Sequence, residues 1–536
     1  MPSSRATRAW NAPCRGREPK AAFRRRRRGA IEAGAKGRFW DRCEGEMRRG
    51  LQGGAMTALT IETIDFPQAD DAAWRSLVEK GLKGRDFESL AARAEDGFTY
   101  GPLYGRKRDA SPLARSAGGR WAVLQRVDDP DAARANAQAL ADLEGGANGL
   151  SLVFAGSASA HGFGLPMDGD AIARALAGVK LEMISLRIEP HMDARRAVEA
   201  IRTLAKDRGQ DFEALFIDLC LDAIGPFAFT GRFPGPEGDF RAHSGRATKS
   251  LRASGFRGRI AEADGRVFHD AGATAGQELG AVLATALYYL RAMLDAGLGL
   301  SDAAASIGFT LAVDQRQFEQ TAKLRALRLL WAKLLEECGE ATPPAARIHA
   351  ETSWRMMAAK DPHTNILRAT IAAFAAGTGG ADSLSVLPHT APLDLADPAA
   401  RRLARNVQII LQEESGLARI TDPAAGSGGI EALTNLTAEA AWNEFQTIEA
   451  EGGIFKSLSA GVLQNRILDA RAARAAKLAE GKTVIVGASL YPLDKERHHV
   501  LLGQAPDAEL PPQPTGQTRC EPLRPYRTSE TVEAST

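Results

Sequence analysis

The chain has 536 residues, 44% apolar and 25% charged, with a formal net charge of +2; this suits two to four soluble domains or one large α/β barrel with attachments. No apolar run is long enough to span a membrane. The five cysteines (Cys14, Cys43, Cys220, Cys338, Cys520) are odd in number and form no CxxC pair, which argues against a disulfide framework or zinc module and fits a reducing cytoplasm.

Residues 1–55 hold 15 Lys and Arg against 5 Asp and Glu, while the rest holds 53 against 61. The body is therefore mildly acidic, and no nucleic-acid footprint is expected on it. The basic segment "FRRRRRGAIEAGAKGRF" has neither helical period nor strand alternation. It reads as a targeting peptide, as a basic tail for an anionic surface, or as sequence upstream of a true start at Met47 or Met56. Helical order begins after Met56, where Trp74, Leu77, Val78 and Leu82 recur at helical spacing. Residues 56–144 are expected to form an extended and helical segment for subunit contact.

From 145 to 415, strand-like runs alternate with helical stretches. Strands are expected at 149–156, 180–190, 213–222, 258–265, 303–313, 346–353 and 381–388, with "GFGLP" (162–166) a weak eighth. Helices are expected at 170–178, 193–209, 274–294, 316–337, 365–377 and 399–414. The 316–337 helix carries Phe318, Leu324, Leu327, Leu330, Trp331 and Leu334 as a buried stripe. Such alternation means a parallel sheet with helical crossovers. Eight strands over this length suit an α/β fold of the (β/α)8 TIM-barrel type, ahead of an open doubly wound sheet. Residues 416–492 read as helical, closing on a short strand at 483–492. Residues 493–536 read as a Pro-rich linker or tail.

Candidate chemistry is sparse. "DPAAGSGGIE" (422–431) lacks the Lys-Ser/Thr of a phosphate loop and reads as a turn between helices. "DPHTN" (361–365) reads as a helix cap through Asp361 or Thr364 in preference to a metal site. His349 in "RIHAETS" and His269 in "GRVFHDAGA" stand where barrel strands end, the place barrel active sites are built. Each is also readable as a hydrogen-bonded structural histidine.

"ETSWRMMAAKDPHTNILRATIAAFAAGTGGADSLSVLP", "ARRLARNVQIILQEESGLARITDPAAGSGGIEALT" and "AWNEFQTIEAEGGIFKSL" together resemble the methylmalonyl-CoA mutase family. "FPQADDAAWRSLVEKGLKGRDFESL" with "DGFTYGPLYGR" resembles its small, or β, subunit. The resemblance runs in order from about 62 to 530. It implies a carbon-skeleton isomerase using adenosylcobalamin, in which acyl-CoA threads the barrel axis and a separate C-terminal domain holds the cofactor.

The resemblance also implies a lost active site. The family's catalytic histidine falls on Val267, and His269 falls where the catalytic chain has glutamine. In "GRWAVLQR" the active-site tyrosine becomes Arg126 and two arginines become Gly119 and Leu124, while Trp121 and Gln125 persist. The arginine that meets the acyl carboxylate falls on Thr230. The cobalt-ligating Asp-x-His-x-x-Gly motif is absent, since "DPHTNI" has Ile366 in place of glycine. No catalytic, cofactor or metal residues are therefore expected on this chain, with Gly119, Leu124, Gln125, Arg126, Thr230, Val267, His269 and His349 as degenerate pocket positions. The expectation is a non-catalytic small subunit, heterodimeric with a large (α) subunit that binds adenosylcobalamin. Residues 62–130 would wrap that partner, and the cobalamin-binding type of domain is not seen in the sequence. The rival readings are a self-standing acyl-CoA mutase barrel served by a separate cobalamin-binding protein, and a vestigial acyl-CoA-binding module.

Overall fold

Short strands in which apolar residues alternate with polar ones bury one face against helices and turn the other inward. The computed structural model describes residues 70–113, 115, 119–493, 498–503 and 518–534. The basic segment 1–55 and the Pro-rich stretch 504–517 lie outside them. Residues 1–81 and 82–536 are separate units. The described part of the first is residues 70–81, almost all of them in the helix Asp71–Leu82, where the sequence pattern places one.

The second unit carries eight parallel strands. They are β1 (Ala122–Val127), β2 (Gly149–Leu152), β3 (Ser185–Ile188), β4 (Ile217–Asp218), β5 (Ala261–Asp264), β6 (Ile307–Val313), β7 (Ile348–Thr352) and β8 (Ser383–Ser385). The sheet runs β4-β3-β2-β1-β8-β7-β6-β5. A parallel bridge from Leu221 to Ala261 and the Leu219 N–H to Arg259 O bond join its two ends beyond β4. The result is the expected (β/α)8 barrel.

Its helices include α1 (Ala132–Glu144), α2 (Gly169–Ala175), α3 (Ala194–Asp207), α4 (Glu237–Ala253), α5 (Arg266–Ala271), α6 (Ala275–Asp295), α7 (Gln317–Glu337), α8 (Thr364–Thr378) and α9 (Pro398–Glu413). Two more, α10 (Gly428–Ala450) and α11 (Val462–Ala479), follow the barrel.

Alternation assigns the faces. Leu150, Leu152, Leu186, Ile188 and Ile217 pack outward into one apolar cluster, and Ala261, Ala263, Phe309, Leu311, Ile348 and Ala350 into a second. The residues between them point to the axis. Full burial of one such Leu or Phe contributes about 1.5–3 kcal/mol, so these outer faces fix the strand register.

Several expectations are corrected. The barrel begins at β1, not at 145: Ala122–Leu124 pair with β8 and Leu124–Val127 with β2. "GFGLP" contributes only a bridge between Phe154 and Leu165. No strand forms at 483–492, where a Val486–Leu490 bridge closes a turn. Phe318 in the first turn of α7 is 61% exposed, while Leu324, Leu327 and Trp331 are buried.

Part of the presumed partner-wrapping segment lies on this chain's own body. Lys107 N–H donates to Gly426 O, Leu113 N–H to Asp422, and Glu95 pairs with Arg474 and Arg316. "DPAAGSGGIE" is indeed a turn. A Cβ on Gly428 would stand 2.0 Å from Gly105 O, so only glycine permits this approach. Arg325 ties the turn down by pairing with Asp422 and, at 2.7 Å, with Glu431.

The tail departs most from expectation. Residues 518–534 are a strap, not a free linker. Thr518–Arg519 pair antiparallel with Arg232–Phe233. Leu523 N–H donates to Ala228 O, Tyr526 N–H to Asp270 O and Thr528 N–H to Arg355 O. These partners follow β4, β5 and β7, so the strap crosses the C-terminal mouth of the barrel.

Candidate functional site in the barrel interior

The inward positions of the strands carry charge instead of space. Arg187 and Glu189 come from β3 and its exit, Glu262 and Asp264 from β5, Arg126 from β1, Glu351 from β7, and Arg266 opens α5. All seven are 5% exposed or less. Arg266 stands at the centre. It pairs with Asp264 at 2.6 Å, with Glu351 at 2.9 Å and with Glu189. Arg126 reaches the other Glu351 oxygen at 2.8 Å and also holds Asp128 at 3.0 Å. Arg187 bridges Glu189 at 3.0 Å and Glu262 at 3.3 Å, and donates to Thr310 Oγ1 at 2.7 Å.

Three guanidiniums thus meet five carboxylates in one connected network. Burial opposes ionisation throughout, but Arg266 and Arg187 hold Glu189 well below its usual range. Burial raises Glu262, which Arg187 and Thr310 only partly offset. Burial would also lower Arg266, yet Asp264, Glu189 and Glu351 raise it well above its ordinary value.

Little space is left. The cavity at the mouth between Asp264, Arg266, Val267, Asp270, Glu351 and Leu523 measures about 10 Å³. That is room for one water at most, whereas small-molecule sites run to about 300–1,000 Å³.

The degenerate positions separate into groups. Leu124, Arg126 and His349 face the axis. A Cβ on Gly149 of the neighbouring strand would stand 2.1 Å from Leu124 Cδ2, so Leu124 occupies the space beside β2. His349 is the second residue of β7, nearer its start than the sequence suggested, and Glu351 takes the place at the strand's end. Its Nδ1 lies 2.9 Å from Ser383 Oγ, and its buried Nε2 has no hydrogen-bond partner. Burial, with Arg187, drives it far below the normal histidine pKa.

Val267 lines the residual cavity. Gln125 points out of the barrel, bonding Asp142 at 3.1 Å and Arg401 O at 3.4 Å. Gly119 lies on an exposed loop, where its carbonyl accepts from Arg115. Thr230 turns its hydroxyl back to Pro226 O at 2.7 Å.

His269 is buried and hydrogen-bonded through both ring nitrogens. It is 2% exposed, with Nδ1 3.1 Å from Glu278 Oε2 and Nε2 2.8 Å from Ser353 Oγ. Burial, with Arg355 and Lys323, pushes its pKa far down. The neutral ring then has Nδ1–H donating to Glu278 and Nε2 accepting from Ser353, an assignment made from this network. Lys323 completes the cluster, 2.8 Å from Glu278.

Sequence reasoning missed Arg187, Glu189, Glu262, Asp264, Arg266 and Glu351. Their signal was the period-two placement of charge inside apolar strands, "SLRIEP", "AEADGR" and "IHAET".

The family model for methylmalonyl-CoA mutase matches residues 114–534. The methylmalonyl-CoA mutase small subunit of Streptomyces virginiae is 40% identical over 460 residues, covering 81% of this chain and 72% of that protein. The small subunit from Propionibacterium freudenreichii subsp. shermanii is 34% identical, over 80% of this chain and 69% of its own. The mitochondrial methylmalonyl-CoA mutase of Bos taurus is 29% identical over 79% and 61%. The chain belongs to the methylmalonyl-CoA mutase family, whose members are cobalamin-dependent isomerases.

Proposed function

We propose that this chain is a non-catalytic small subunit, working in a heterodimer with a large subunit that binds adenosylcobalamin and isomerises methylmalonyl-CoA to succinyl-CoA. One observation carries the reading. The barrel axis, along which the family resemblance would thread an acyl-CoA, is filled by the Arg126–Arg187–Arg266 network and capped by residues 518–534. Val267 supports it, because a valine side chain has no hydrogen bond to offer a thioester carbonyl.

The residues at the mouth do not fit a cobalamin either. Leu523 and Pro525 line the small cavity at the mouth, and neither side chain could ligate a metal. His363, the histidine nearest to the cobalt-ligand motif in sequence, immediately precedes α8. The cofactor and the substrate are read as belonging to the partner.

A partner face is supported by α8 and α9, which pack together and leave Leu367, Ile371, Leu403 and Ile410 between 42% and 64% exposed. Leu367 and Ile371 are one turn apart on α8 and Leu403 and Ile410 two turns apart on α9, and exposed apolar stripes of this kind support an interaction surface. An obligate interface of this kind buries more than about 2,000 Å².

The test is co-expression with a cobalamin-binding large subunit, followed by native mass and mutase activity. A 1:1 complex whose activity survives substitution of Val267 in this chain supports the proposal. No complex, or turnover by this chain with a free cobalamin-binding domain, overturns it.

A further inference from the structure

Three histidines outside the barrel interior converge from separate parts of the chain. His363 immediately precedes α8, His389 lies in the loop after β8, and His499 belongs to the post-barrel segment 498–503. One ring nitrogen from each lies within 4.8 Å of the others. The ring centroids are 5.2 Å apart for His363 and His389 and 5.0 Å for His363 and His499.

Two of the three are placed by one rigid corner. Asn365, in the first turn of α8, is fully buried and donates from its side chain to His389 O at 3.0 Å and Ala358 O at 2.8 Å. Its Oδ1 accepts from Ala358 N–H and Arg368. The third histidine is positioned by an antiparallel bridge of Leu501 with Ala396 and by Leu502 N–H donating to Leu395 O at 3.0 Å. All three segments thus have fixed main chains, as metal ligands need.

His389 supplies an independent sign. It is 8% exposed, and its Nδ1 is buried with no hydrogen-bond partner. A buried polar atom left unsatisfied costs about 1–3 kcal/mol. A cation among the three rings would give that imidazole a strong partner.

We infer that His363, His389 and His499 form a site for one borderline divalent transition-metal ion, with Zn²⁺ the first candidate. Three imidazoles without thiolate or carboxylate suit Zn²⁺, Cu²⁺ or Ni²⁺ and not Mg²⁺ or Ca²⁺. Tetrahedral Zn–N bonds of about 2.0–2.1 Å place ligating nitrogens about 3.3 Å apart, so the three rings draw together from their present spacing, within 4.8 Å, when the ion binds. The exposed His363 leaves a path for entry and a fourth position for water. The role is a clamp: the ion ties segment 498–503 to the rim formed by the exits of β7 and β8. An ion bound only by the folded chain stabilises it by mass action.

The test is calorimetric titration of the untagged, chelator-stripped full chain with Zn²⁺, alongside H363A and H499A. The expected result is one ion per chain, with affinity weakened at least tenfold in each variant. Co²⁺ in place of Zn²⁺ should give tetrahedral d–d bands with no thiolate charge-transfer band. Zn²⁺ should also slow amide exchange at Leu502 in the parent and not in H363A. His363 is exposed, so its variant keeps the fold, and circular dichroism verifies this. No binding, equal affinity in all three proteins, or a thiolate band each overturns the site.

Discussion

Replacing Arg266 with methionine is the sharpest perturbation of the barrel interior. The substitution keeps an unbranched apolar stem and removes the guanidinium with its charge. Three carboxylates then lose a partner at once: Asp264 at 2.6 Å, Glu351 at 2.9 Å, and Glu189. Glu351 keeps Arg126 and Glu189 keeps Arg187, but Asp264 has no other guanidinium among its ion pairs. Breaking a buried pair by removing one partner costs about 3–5 kcal/mol, a hundredfold to a few thousandfold in the folding equilibrium.

The pH dependence gives the sign. Glu189 has a folded pKa below its unfolded value of about 4.3. Its contribution is therefore present above that value and is lost as the pH falls through the folded pKa. The difference between R266M and the parent should be full at pH 7 and shrink below about pH 4, where protonation relieves the orphaned carboxylates. Urea unfolding at both pH values measures it. A difference under about 1 kcal/mol at pH 7 would mean that water already solvates these groups, and the argument for a filled barrel would fail.

Asp270 sits at the mouth with its pKa pushed up to about 7 by burial, against the pull of Arg355. The native state therefore takes up a proton between about pH 4 and 7, and this group's contribution to stability falls as the pH rises through that window. D270N should gain on the parent between pH 5 and 8, by at most about 4 kcal/mol; identical pH slopes for the two proteins would refute this. Leu523, 2% exposed, anchors the strap in the main core. L523A should cost about 2–4 kcal/mol and speed amide exchange at Tyr526, and an unchanged exchange rate would show that the strap is held elsewhere. The pair L403D and I410D on the exposed side of α9 should alter stability by no more than about 0.5 kcal/mol each while weakening association with the large subunit at least tenfold. Undiminished association would remove α9 from the interface.

The outer half of the barrel was legible in the sequence and the inner half was not. Runs such as "GLSL" and "IGFTLAV" announce strands because their outward residues are Leu, Phe and Val. β1 escaped because "AVLQRV" places Gln125 and Arg126 side by side. One bonds a helix outside the barrel and the other an acid inside it, so the apolar run breaks without the strand ending. The interior charges looked like solvated faces for the same reason. A period-two pattern tells which residues share a face, but not that the face closes on itself. That closure depends on the pairing of residues 219–221 with 259–262, partners some 40 residues apart. His269 and His349 were recognised as candidates by position, but their partners Glu278, Ser353 and Ser383 come from other elements and no local spacing reveals them. The three-histidine cluster hid for the same reason, with ligands from three segments, at positions 363, 389 and 499 of the chain.

The central claim is that this barrel has no room for substrate. Titration of the purified chain alone with methylmalonyl-CoA, read by calorimetry and by amide exchange across β1, β5 and β7, tests it directly. The account predicts no saturable binding and unchanged exchange at Arg126, Glu262 and Glu351. Saturable binding with protection of those strands would show that the network parts to admit an acyl-CoA, and would contradict it.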